Sequence, residues 1–120
     1  MSTYNLSEIR AEADAMRDVL VAVRRDLHAH PELAFEEVRT AGIVARTLGE
    51  LGYEVQTGVG KTGVVGVMEA KDPNGETLLL RFDMDALPVH EAVDVDFKST
   101  VEGKMHACGH DAHTSIGLGV

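Results

Sequence analysis

The chain has 120 residues, which suits one modest domain rather than two, and 20 Asp plus Glu against 11 Lys plus Arg give it a formal net charge of −9. A surface this acidic repels phosphate backbones and anionic headgroups, which argues against nucleic acid and membrane as partners, and no apolar run nears the roughly 20 residues that span a bilayer. A single cysteine makes no internal disulfide, and "MSTYNLSEIR" lacks the basic and apolar regions of a secretory signal, so the expected setting is cytoplasmic.

The first predicted element runs through "SEIRAEADAMRDVLVAVRRDLHAH". Its apolar residues Ile9, Ala13, Met16, Leu20, Val23 and Leu27 alternate steps of four and three, the stripe of an amphipathic helix. Ser7 is the expected N-cap, and Pro31 disfavours helical geometry at His30 and should end the helix there. A second helix is expected over Glu36–Leu51, closed by Gly52. "YEVQTGV" and "GVVGVMEA" read as strands, and "KDPNGE" as a turn set by Pro73 and Asn74-Gly75. "TLLLRFDMD" reads as a third strand, buried at Leu78 to Leu80. A loop follows, with a short strand near Val93 to Phe97, and then a helix from Ala112 capped by Asp111. The order of helix, helix, strands and helix makes an α/β domain.

Three stretches carry candidate chemistry. In "GKMHACGHDAHT", Cys108 and His110 are two residues apart, and a sharp turn at Gly109 lets a thiolate and an imidazole converge on one ion. A helix starting just beyond would set its positive end beside Cys108 and favour the thiolate, the form that ligates metal. The alternative is a buried cysteine beside a capping turn. In "RFDMDALP", Asp83 and Asp85 share one face at a strand end, where ligands gather in open α/β sheets; they are metal ligands or orienters, or simply solvated acids. In "LHAHPELAFEE", His28 and His30 diverge on a helix and read as hydrogen-bonding groups at its end or in a cleft. His90 and His106 read as ordinary surface histidines, while His113 falls one turn into the last helix and can face the site.

In this order and spacing, "DLHAHPELAFEE", "RFDMDALPVHE" and "GKMHACGHDAHT" resemble the N-terminal part of the metal-dependent amidohydrolases, the family of hippurate hydrolases, aminoacylase-like deacylases and plant auxin-conjugate hydrolases. The resemblance covers nearly all of the chain from Leu27 onward. It implies that residues 1–120 form the N-terminal portion of a zinc-exopeptidase-like α/β catalytic domain, with a lid domain absent from this sequence that would also mediate a homodimer. It implies hydrolysis of the amide bond of a small-molecule N-acyl amino acid by a water activated between two divalent ions, Mn2+ or Zn2+. Cys108 and His110 match metal ligands, Asp85 matches the catalytic aspartate, and Asp83 matches its partner. Phe82 stands where a smaller residue is more usual. The general-base glutamate and the remaining ligands are expected downstream, so this chain is expected to be an incomplete fragment. The competing expectation is a short non-catalytic metal-binding or regulatory module.

Overall fold

The computed structural model of the chain describes residues 5–120. Helix α1 spans Leu6–Ala29 and breaks at His30, next to Pro31 as expected. Its cap is Asn5 rather than Ser7: the Asn5 Oδ1 accepts both the amide and the hydroxyl of Ser7, at 3.1 and 2.6 Å. Only the C-terminal part of the apolar stripe is covered. Leu27 is fully buried, whereas Ile9 and Met16 lie exposed.

Helix α2, Val38–Glu50, starts two residues later than the sequence suggested. Its N-terminal amides are capped from upstream rather than by the residue at the helix start. Glu32 accepts from the Thr40 amide and hydroxyl through Oε1, both at 2.7 Å, and from the Arg39 amide through Oε2 at 2.8 Å. A carboxylate here also meets the positive end of the helix dipole. The chain then forms an antiparallel hairpin of β1, Glu54–Val59, and β2, Gly63–Val67, irregular at Thr57/Val59.

The expected third strand is not part of a sheet, nor is the short one near Val93 to Phe97; the sheet of the described residues has two strands. Leu78, Leu79 and Leu80 are 82, 86 and 50% exposed, where a buried run was expected. A strand exists through the partner that takes its backbone hydrogen bonds, and none of the described segments lies beside this run. Just downstream, the same segment does find partners. The Ala86 amide donates to Glu32 O at 2.7 Å, and Leu87 and Met105 exchange backbone hydrogen bonds at 2.9 and 3.0 Å. These bridges draw the three motif stretches into one neighbourhood.

Helix α3 spans His110–Gly119, two residues earlier than expected, and packs on α1. Gly109 precedes it at φ 94°, a left-handed conformation that favours glycine. The burial beneath this junction is unusual. Leu27 and Ala86 are the fully buried hydrophobic residues among those described, whereas His28, Glu37, Thr40, Glu91, His106, Asp111, Thr114 and Ser115 are buried polar ones.

Candidate metal centre

The centre is organised by His110, the first residue of α3. Its Nδ1 lies 2.9 Å from the Asp85 carbonyl oxygen and 3.0 Å from Asp85 Oδ1. A ring nitrogen between two oxygens satisfies both only as a donor, so Nδ1 donates to Asp85 and Nε2 is turned toward Asp83. That Nε2 is 3.4 Å from Asp83 Oδ2. Two donors of one tetrahedral ion at about 2.0–2.1 Å would stand about 3.3 Å apart, so the pair has the spacing of two ligands of one ion. A carboxylate holding the far nitrogen is also what fixes the ring of a metal-binding histidine and raises its basicity.

Asp83 is fixed from α3 as well. Its amide donates to His113 Nδ1 at 3.3 Å, and its carbonyl accepts from the Thr114 hydroxyl at 2.7 Å. Its Oδ1 is buried without a hydrogen-bond partner. The exposed Arg81 approaches that oxygen to 3.0 Å as an ion pair, but out of hydrogen-bonding alignment. An unpaired buried carboxylate oxygen has capacity left for a cation.

Cys108 is exposed, and no hydrogen bond or ion pair of the described residues ties it to these groups. The start of α3 at His110 does set the helix N-terminus beside it. Among the described residues, no three His, Cys, Asp or Glu side chains enclose a cation-sized point. The residues present therefore fit part of a coordination shell: His110 with its orienting Asp85 and Asp83 opposite, with Cys108 two residues before His110 in the chain.

Behind the centre lies a charged network that the sequence did not reveal. Buried His28 places Nδ1 2.7 Å from Asp111 Oδ2 and Nε2 2.9 Å from Glu91 Oε1. Arg24, one turn earlier on α1, brings its Nε to 2.8 Å from the same Asp111 oxygen. The Ser99 amide donates to Glu91 Oε2 at 2.6 Å. Burial by itself would raise the pKa of both carboxyls. The His28 hydrogen bond, the backbone amides and the nearby positive charge outweigh it and hold both below the usual carboxylate range. His106, expected at the surface, is 4% exposed, with both ring nitrogens unpartnered. Burial pushes its pKa down, partly opposed by Asp111, so the neutral ring is favoured.

The other histidines behave as their positions suggested. His30 turns its Nδ1 to the Asp26 carbonyl oxygen at 2.8 Å, a contact at the helix end, and His90 is exposed. His113 faces Asp83, as its place in the helix allowed. Glu91 was missed because its partner His28 sits 63 residues away, and His106 because the segments that bury it are distant in sequence.

Residues 79–120 match the model of peptidase family M20/M25/M40. The thermostable carboxypeptidase 2 of Saccharolobus solfataricus is 47% identical over 115 residues, 95% of this chain and 29% of the relative. The hippurate hydrolase of Campylobacter jejuni is 50% identical over 93 residues, 78% of this chain and 24% of the relative. The crystal structure of YxeP from Bacillus subtilis, described as a dinuclear metal binding peptidase of the M20 family, superposes with a TM-score of 0.80 at 42% identity. It is matched over 88% of this chain and 29% of its own. Over the part that it spans, the chain is similar to members of this peptidase family in both sequence and fold. It covers less than a third of the length of these relatives.

Proposed function

We propose that the protein to which this chain belongs is a metal-dependent amidohydrolase that cleaves the amide bond of N-acyl amino acids. Residues 1–120 supply the N-terminal part of its catalytic domain, and a lid domain beyond them completes the pocket and mediates a homodimer. The setting is cytoplasmic. The observation that carries the reading is the double hold of Asp85 on His110 Nδ1, which leaves Nε2 free as a ligand. The likeness to a hippurate hydrolase and to a dinuclear metal peptidase supports the substrate class and a pair of divalent ions, Mn2+ or Zn2+.

Bound ions would supply Lewis acidity at the acyl carbonyl and a water acidic enough to act near neutral pH. The chain's own residues prepare for this. His110 and Cys108 are the ligands; Asp85 holds Nδ1 and the ring plane of His110; Asp83 presents an oxygen on the ligating side. His113 and Thr114 keep the Asp83 backbone in place through their hydrogen bonds. The general base and further ligands lie outside this sequence.

The test is hydrolysis of hippurate and related N-acyl amino acids by the complete protein, before and after chelation and on return of Mn2+ or Zn2+. Activity lost with the metal and restored by it supports the reading. Stoichiometric metal binding with no turnover of any N-acyl amino acid would favour a non-catalytic metal-binding module instead.

A further inference from the structure

We propose that His28 is a positioning residue of this centre, holding the Cys108–His110 turn in place through the buried carboxylate of Asp111. The inference rests on the reading of Cys108 and His110 as ligands.

The ring of His28 lies between two carboxylates, one on each nitrogen, at 2.7 and 2.9 Å. The ring is thus tied at both nitrogens, with Asp111 on one and Glu91 on the other. Arg24 brings its Nε to 2.8 Å from the same Asp111 oxygen, so two groups of α1 hold that carboxylate. Each carboxylate controls a different edge of the centre. Asp111 follows His110 in the first turn of α3, so its displacement turns that helix start and carries His110 off Asp85. Glu91 holds the Ser99 amide, and Thr100 returns its amide and hydroxyl to Ala29 O at 2.9 and 2.7 Å. That seats the segment following Asp85 on the end of α1. One ring thus fixes both the DMD and the CGH stretches relative to a single helix.

Stability alone gives no reason for charges here. Well-packed apolar residues of similar volume often serve as well as a buried ion cluster, or better. What apolar packing does not supply is direction. Hydrogen bonds at both nitrogens fix the ring of His28, whose Nδ1 in turn holds Asp111 and the turn before it.

The experiment measures cobalt(II) binding by the complete protein, reading the thiolate-to-cobalt charge-transfer band and the dissociation constant alongside thermal unfolding. His28→Gln is expected to weaken cobalt binding about 10–100-fold and to alter the band, in a chain that still unfolds cooperatively. Glu91→Gln leaves the Asp111 contact in place, and its amide oxygen still accepts from Ser99 or His28, so it should lower stability and weaken cobalt binding less than His28→Gln does. Equal affinity in wild type and His28→Gln, or affinity that falls only in step with stability in both variants, overturns the proposal. Should His28→Gln fail to fold, Arg24→Gln tests the same carboxylate from the more exposed side. It is then expected to weaken binding more than Glu91→Gln does, and equal effects overturn the proposal. A wild-type protein without a cobalt–thiolate band contradicts the ligand assignment itself, and this inference falls with it. A band that Cys108→Ala abolishes but His28→Gln leaves untouched removes only the role of His28.

Discussion

The substitution Gly117→Ala probes how α3 is seated against the acidic stretch. A methyl group built on Gly117 would stand 2.6 Å from two atoms of the Phe82 ring and 2.9 Å from a third. Relaxed carbon contacts lie near 3.5–4.0 Å, so the ring must recede by about 1 Å. To recede, Phe82 must give up its edge-on contact with His113, whose ring centroid lies 5.1 Å away. Overpacking of this kind costs about 1–3 kcal/mol, while Gly to Ala inside a helix gains about 1 kcal/mol. The net effect in the natural chain should run from near zero to about 2 kcal/mol of destabilisation. With Phe82→Ala already present, the clash is gone and Gly117→Ala should stabilise by about 1 kcal/mol. Urea unfolding of the four chains, followed by circular dichroism, gives the coupling directly, expected at about 1–3 kcal/mol. Equal effects of Gly117→Ala in both backgrounds would refute the seating of Phe82 on α3. The unusual size of residue 82 would then need another explanation.

Three further outcomes follow from the same structure. Glu32→Ala removes three hydrogen bonds from the start of α2 and leaves the buried Thr40 hydroxyl unpaired, so it should destabilise by about 2 kcal/mol in urea unfolding, and Glu32→Gln by less. The pKa of Glu91 is depressed in the folded chain, so its contribution is complete above its ordinary value of 4.5 and is lost as pH falls through the lower folded value; stability measured against pH should decline below about 4.5, less steeply in Glu91→Gln. Leu78 to Leu80, Ile116 and Val120 are exposed, so residues 1–120 alone should self-associate in analytical ultracentrifugation, and a clean monomer with a sharp unfolding transition would show that these faces need no cover.

Much of the helical architecture was legible because its causes are local. The four-and-three spacing of α1, the block at Pro31 and the permissive Gly52 each act within one or two turns. The run at Leu78 to Leu80 misled for the opposite reason. Its apolar character is real, but a strand depends on a neighbour, which a single stretch of sequence cannot supply. Asp83, Asp85 and His110 could be proposed because residue type and spacing are themselves chemical signals. The support behind them could not. His28 reaches Asp111 across 83 residues and Glu91 across 63, and nothing in "LHAHPE" distinguishes a histidine at a helix end from one that joins two carboxylates. His106 was misjudged for the same reason: its burial comes from segments packed around it, not from its neighbours in sequence.

The central claim is that Cys108 and His110 hold metal with Asp85 orienting the histidine, and the most direct test combines metal content with alkylation of Cys108. In the complete protein, bound zinc should protect the single thiol of this segment from iodoacetamide, and chelation should expose it. Cys108→Ala and His110→Ala should each lower bound metal measured by mass spectrometry, and Asp85→Asn should weaken binding about 10–100-fold with the ligands still present, whereas His90→Ala should change nothing. Full metal occupancy in Cys108→Ala, together with a thiol alkylated equally fast with and without zinc, would contradict the claim and leave Cys108 as an exposed cysteine before a helix.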